Sequence, residues 1–410
     1  MSEREIQITD LGHRGDGIAH TQDGAIYVKG ALPGEVVHAD ILDGRAQNVT
    51  FKSMSQDRVS PVCKHFEVCG GCSVQHLAAQ PYLAWKRELV SRALRDRGIE
   101  KTVNEALPAT QGGRRRAVLT AKRAGRHPLL GYHEKSSNRL VDIKECPVLD
   151  PAIANALPGL KSLAAEVLPK KGDLRMTVLN TTTGLDVALD KADKTYDRKI
   201  PVLSQKTVEL GLARLSVNGE VLLEIRPPML DMGGIGLVAA PGGFTQATLA
   251  AEEALSRLVL EGVGEARTVA DLFSGVGTFA LRLARHANVH AVEGDAAAVA
   301  AFDKALRKPQ GLKKVTFERR DLFRRPLVRE ELEAFDAVVF DPPRAGAQAQ
   351  AETLAGSTVR TIVAVSCNPA TLARDLRLLI DGGYTLQSVT PVDQFLYSPH
   401  IEVVAVLNRE

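Results

Sequence analysis

Asp271-Leu-Phe-Ser-Gly-Val-Gly-Thr-Phe279 decides the fold. The apolar run Thr268–Phe273 reads as a buried strand, and the glycines let the backbone turn tightly and approach a ligand. A helix is predicted from Phe279 onward. The third glycine of the dinucleotide fingerprint is missing. Downstream, His290-Ala-Val-Glu293 is a second strand, ending in an acid 22 residues after Asp271. An acid there can accept hydrogen bonds from both ribose hydroxyls. Lys314 to Glu318 is strand-like and leads to Asp321, placed to meet an adenine edge. Phe335–Phe340 and Thr361–Ser366 are further strands. Strands alternating with helices predict an α/β, Rossmann-like doubly wound sheet, with ligands at the carboxyl ends of its strands. A ribose acid without a pyrophosphate loop fits S-adenosylmethionine better than a nicotinamide cofactor.

The later strand ends carry reactive groups. Phe340-Asp341-Pro-Pro-Arg344 fixes a carboxylate over the site with two rigid prolines. Methyltransferases acting on exocyclic amines carry an aromatic where Arg344 stands, which argues against that chemistry. In Ser366-Cys367-Asn-Pro369, Asn368 is a predicted N-cap and Pro369 the first residue of a helix to Ile380. The helix N-terminus is expected to stabilise a Cys367 thiolate. Glu402 falls near the start of a last strand within Ser398–Leu407, and in isolation reads as a solvated edge glutamate. Methyl transfer to carbon 5 of a pyrimidine needs a thiolate to add at carbon 6, a methyl donor, and a base to remove the carbon-5 proton. Cys367, the glycine-turn site and Glu402 supply these three.

Outward from this region the composition is ordinary. The chain has 410 residues, 44% hydrophobic and 25% charged, so a disordered or fibrous chain is excluded. No run reaches the ~18 apolar residues of a membrane helix. The N-terminus lacks the apolar core of a signal peptide, so a cytoplasmic protein without membrane partners is expected. Residues 1–57 show short strands between glycine turns and predict a small barrel. A mixed α+β domain is expected over 58–240 and the catalytic domain over 241–410. Residues 58–140 hold 16 Lys+Arg against 6 Asp+Glu, a local +10 that suits RNA. Four of the five cysteines form a set, Cys63-x5-Cys69-x2-Cys72 with Cys146. By residue type alone that set suits zinc or a [4Fe–4S] cluster equally.

Together these motifs resemble the RNA uracil-5-methyltransferase family, in its iron–sulfur branch that modifies 23S rRNA. Gly15-Asp-Gly17 through Leu32-Pro-Gly-Glu35 is similar to its N-terminal TRAM barrel, an OB-like fold. Cys63, Cys69, Cys72 and Cys146 are similar to its cluster ligands, favouring a [4Fe–4S] cluster with zinc as the alternative. Ser-Cys367-Asn-Pro is similar to its nucleophile motif and His400-Ile-Glu402 to its base motif. The resemblance also implicates Pro241-Gly-Gly-Phe-Thr-Gln246, and implies a donor site of Gln246, Phe273, Thr278, Glu293, Asp321 and Asp341. The cluster is expected inside the basic block, near Arg114, Arg115, Arg116, Lys122, Arg123 and Arg126. The implied enzyme is a monomer methylating a single-stranded or flipped-out uridine of rRNA. Alternatives are the same chemistry on tRNA, or an RNA-binding assembly factor with an inactive methyltransferase fold.

Overall fold

The computed structural model describes residues 4–125, 127–307 and 309–409; Arg126, expected beside the cluster, lies outside them. The C-terminal sheet has seven strands: β1 (Thr268–Leu272), β2 (Asn288–Glu293), β3 (Val315–Arg319), β4 (Ala337–Phe340), β5 (Thr361–Ser366), β6 (Thr385–Val392) and β7 (Glu402–Asn408). Their spatial order is β3-β2-β1-β4-β5-β7-β6. β1 to β5 run parallel, and β7 pairs antiparallel with both β5 and β6. The doubly wound sheet expected from the glycine-turn motif is therefore present, with one reversed strand inserted. Its central strands are continuous apolar runs because both faces are covered: Val269, Ala270, Leu272, Val338, Val339, Ile362 and Val363 are fully buried. Strand order changes direction at β1, so β1 and β4 open a crevice at their carboxyl ends.

The helix expected from Phe279 is a single turn, Ala280–Leu283, before the chain re-enters the sheet at Asn288. The helix after Cys367 forms as expected over Pro369–Asp381, and Asn368 Oδ1 caps it by accepting from Ala370 N at 3.2 Å.

A second seven-stranded sheet spans 116–124 to 220–224, and the helix Pro151–Val167 packs on it. The N-terminal residues form a six-stranded sheet around Ile6, Ile8, Val28 and Val37. Packing does not follow the expected divisions everywhere. Val90, Leu94, Ile99 and Val103 lie within the expected central region, yet they are buried in the core of the C-terminal sheet. Leu230, Met232, Ile235 and Leu237, also before residue 241, join the other face of that sheet. The helix Ala79–Arg95 also meets the N-terminal sheet: Trp85 Nε1 donates to the Gly12 carbonyl at 3.2 Å, and Leu11 and Leu32 pack with Tyr82 and Trp85. Among the described residues, no helix is long and apolar enough to cross a membrane.

Candidate active site

A cavity of about 650 Å³ opens at the carboxyl ends of β1, β2, β4 and β5. Gln246, Phe273, Thr278, Glu293, Asp321, Asp341, Cys367 and Glu402 all line it. The glycine turn forms one wall. Gly277 has φ +87°, and a Cβ there would stand 2.4 Å from the Phe302 ring, so only glycine fits. Phe273 itself has φ +58°, a strained conformation for an aromatic residue, and its ring packs on Phe323 at 5.4 Å. Glu293 is anchored by backbone: Oε2 accepts from Gly275 N at 2.9 Å and Oε1 from Asp295 N at 2.7 Å. These bonds tie the end of β2 to the turn after β1 and hold a carboxylate at the cavity wall. Asp321, at the end of β3, accepts from Phe323 N at 3.0 Å.

The reacting side of the cavity is built from β4, β5 and β7. Cys367 follows β5 and Glu402 opens its antiparallel neighbour β7, which brings residues 35 apart in sequence into one cavity. Glu402 is 4% exposed, so the edge-glutamate reading fails: β7 lies between β5 and β6, not at an edge. Burial and the nearby Asp341 push the Glu402 carboxyl up, and desolvation also raises Asp341. The expected depression of the Cys367 thiol is also corrected. Burial, then Glu402 and Asp341, push it up to about 11, with Arg344 opposing. Burial, with the two acids behind it, opposes the partial positive charge of the helix end. Asn368 Nδ2 donates to the Arg344 carbonyl at 3.0 Å, locking the loop after β4 to the loop after β5. Arg344 Nη2 lies 3.0 Å from His400 Nδ1; burial and neighbouring cations push His400 down, so the neutral ring accepts.

Several residues that sequence reasoning missed organise this centre. Gln394 is 2% exposed and bridges Glu402 and Gln246, with Nε2 2.8 Å from an oxygen of each. Asp393 accepts from Tyr82 Oη at 2.5 Å and from Lys86 Nζ at 2.9 Å. Lys86 also donates to the carbonyl of His400, two residues before Glu402. Lys86 is fully buried, whereas the sequence places it in a basic block read as RNA-facing surface. The same correction applies to Arg115, which pairs with the buried Glu252 and donates to the Gln246 carbonyl. Arg116 donates to the Gly242 and Gly243 carbonyls, and Lys122 pairs with Asp173 at 3.5 Å. Lys86, Arg115 and Arg116 therefore brace the fold, and the charge left to meet RNA is smaller than the block's +10 implies.

Cys63, Cys69, Cys72 and Cys146 line a second cavity of about 50 Å³, with His65, Phe66 and Tyr132 in its wall. Among the described residues, no group of three or more His, Cys, Asp or Glu side chains stands ready to hold a metal ion. The donor set itself, four cysteines around one void, is of a type that suits either zinc or an iron–sulfur group. The loop after Cys72 is tied to the catalytic side: Ser73 N and Val74 N both donate to the Tyr397 carbonyl, at 2.7 and 3.1 Å.

The sequence pattern of the tRNA (Uracil-5-)-methyltransferase family matches residues 240–410, and that of the TRAM domain residues 1–50. An Agrobacterium fabrum protein named as an uncharacterized RNA methyltransferase is 48% identical over the whole of both chains. The 23S rRNA (uracil(1939)-C(5))-methyltransferase RlmD of Aeromonas hydrophila is 31% identical, across 99% of this chain and 96% of that protein. The crystal structure of Pyrococcus abyssi tRNA (uracil-54, C5)-methyltransferase with S-adenosyl-L-homocysteine superposes with a TM-score of 0.77 at 26% identity. It covers 98% of this chain and 99% of that one. With a donor cavity, a cysteine and a buried carboxylate in one crevice and these whole-length likenesses, the chain belongs to the RNA uracil-5-methyltransferase family of S-adenosylmethionine-dependent enzymes.

Proposed function

We propose that the protein methylates carbon 5 of a specific uridine in 23S rRNA through a covalent cysteine–uracil adduct. One observation carries this: Cys367 and Glu402 share the cavity that also holds the ribose acid Glu293. S-adenosylmethionine, as co-substrate, supplies the methyl group. Gln246, Phe273, Thr278, Glu293, Asp321 and Asp341 would bind it. The Cys367 thiol loses its proton to solvent and its sulfur adds to carbon 6; the ring electrons move through carbon 5 onto the carbon-4 oxygen, and carbon 5 then takes the methyl group from the sulfonium, which leaves as S-adenosylhomocysteine. Glu402 removes the carbon-5 proton, the 5,6 double bond re-forms, and the sulfur leaves. A duplex uridine would not reach the cavity, so the target is single-stranded or flipped out.

The choice of rRNA rests on the full-length likeness to the Aeromonas enzyme. The full-length structural likeness to the Pyrococcus enzyme supports tRNA as the second reading. We further read Cys63, Cys69, Cys72 and Cys146 as ligands of a [4Fe–4S] cluster, and the active species as a cytoplasmic monomer. The domain division is a barrel over 1–57, a cluster-bearing middle and a methyltransferase domain from 241, onto which the segments named above pack.

The test is nucleoside mass spectrometry after incubation with methyl-deuterated S-adenosylmethionine and unmodified 23S rRNA or tRNA. Labelled 5-methyluridine in rRNA is the expected result. Label in tRNA alone would keep the chemistry and replace the substrate. Replacing Glu402 by Gln should slow turnover about 10³-fold and accumulate a protein–RNA adduct stable to denaturing electrophoresis. Normal turnover in that variant would remove Glu402 from its role.

A further inference from the structure

The loop between β6 and β7 carries a side chain with no place yet in the reaction. Gln394 is 2% exposed, and its whole amide is engaged. Oε1 accepts from Ala247 N at 2.8 Å. Nε2 donates to Glu402 Oε1 and to Gln246 Oε1, both at 2.8 Å. Amide orientation is often ambiguous, but a backbone N–H can only donate, so Ala247 fixes which end of Gln394 faces it. The Nε2 group must then face the carboxylate. Gln246, its oxygen occupied, is left with its own Nε2 toward Asp341 Oδ2 at 3.4 Å. One buried amide thus sets the orientation of a donor-site residue and of the carboxylate opposite Cys367.

We propose that Gln394 is a positioning residue that holds the Glu402 carboxylate ready to take the carbon-5 proton. The inference rests on the Cys367–Glu402 reading above. The tie is to Oε1 alone; among the described residues Glu402 Oε2 makes no hydrogen bond, although Glu402 lines the cavity shared with Cys367. A carboxylate held by one oxygen presents the other in a fixed direction, which is the geometry a general base requires. The bond also favours the ionised form, because a donor stabilises the anion more than the acid. The loop is itself rigid, since Asp393 is clamped by Tyr82 and Lys86 from the helix Ala79–Arg95 and accepts from Phe395 N at 2.9 Å.

Gln394 does not line the cavity, so its loss should act through Glu402. The charged groups facing Glu402 are Asp341 after β4, Cys367 after β5 and Lys86 on the helix. Asp341 disfavours the carboxylate and Lys86 favours it. Both charges remain when Gln394 is replaced by Met, which keeps the side-chain length and removes the donor.

The experiment follows formation and resolution of the protein–RNA adduct separately, by rapid quench on a 23S rRNA transcript with S-adenosylmethionine, from pH 6 to 10. For Gln394→Met we expect adduct formation within about threefold of wild type and resolution about tenfold slower at pH 7. The acid limb of the resolution profile should move to higher pH. Gln394→Glu, which sets a second carboxylate against Glu402, should move it further the same way. Unchanged resolution profiles in both variants would overturn the proposal. So would equal slowing of both steps with the wild-type profile, which is what loose packing alone would produce. If Gln394→Met melts early, Gln394→Glu decides by the same two criteria. Glu402→Gln serves as the control. Adduct accumulation there with no shift in the Gln394 variants refutes this inference alone, and no adduct in any protein refutes the underlying reading together with it.

Discussion

The catalytic cavity and the cysteine cavity gather distant residues in different ways. Around the first, polar groups are tied to protein partners: Glu293 to two backbone amides, Glu402 and Gln246 to Gln394, Asn368 to the Arg344 carbonyl. Around the second, backbone amides donate to sulfur: His65 N to Cys63 Sγ and Gly71 N to Cys69 Sγ, each at 3.4 Å. The first site is arranged by the fold before any ligand arrives, as electrostatic catalysis requires. The second groups four thiols around one void. That void measures about 50 Å³, and a metal group bound there would supply the order that the fold does not. The two are physically joined through the Ser73 and Val74 amides on the Tyr397 carbonyl. Order in the cysteine loop therefore bears on the loop that carries Gln394.

The sharpest break between the regions is expected at the two kinds of cysteine. Replacing Cys367 by Ala should lower methylation by at least about 10⁴-fold. S-adenosylmethionine should still raise its melting temperature as it does for wild type, because the donor wall does not depend on the thiol. Residual turnover within tenfold of wild type would remove Cys367 from its role.

Replacing Cys72 by Ser tests the other cavity. Anaerobically purified wild-type protein should carry roughly four irons per chain, and the variant under about one. The variant should also melt several degrees lower while keeping measurable methylation. About one zinc per chain in wild type would substitute zinc for the cluster. Neither metal after reconstitution would mean that the four thiols form no metal site.

What could be read from the sequence divides along the same line. The sheet was legible because both faces of its strands are covered, so they are written as unbroken apolar runs. Residues that follow a strand's last apolar position, such as Glu293, Asp341 and Cys367, inherit their place from it. Glu402 was harder: an acid opening an apolar run looks alike at an edge and at the centre, and only the insertion of β7 between β5 and β6 buries it. Gln394, Asp393 and Lys86 carried no local signal. Lys86 stands at an ordinary helical position, and its partner Asp393 is 307 residues away. Arg115 likewise meets Glu252 across 137 residues. Charge counted along a chain cannot separate a cation that faces solvent from one neutralised by a remote acid, so the basic block overstated the RNA-facing surface.

The smallest expected effect concerns the Cys367 thiol in the free enzyme, and its sign follows from its neighbours. Burial and the two carboxylates destabilise the thiolate, and Arg344 favours it. Reaction of Cys367 with iodoacetamide, resolved by peptide mass spectrometry, should therefore keep rising beyond pH 9 toward about 11, the shifted value of the thiol. Glu402→Gln removes one negative charge, lowers the thiol's midpoint, and should speed alkylation at pH 9.5 by about threefold. Arg344→Met should slow it by a similar factor. A plateau below pH 8 would mean that the helix end outweighs the carboxylates. The cavity would then hold a preformed thiolate, and the nucleophile would be as fully prepared by the fold as Glu402 is by Gln394.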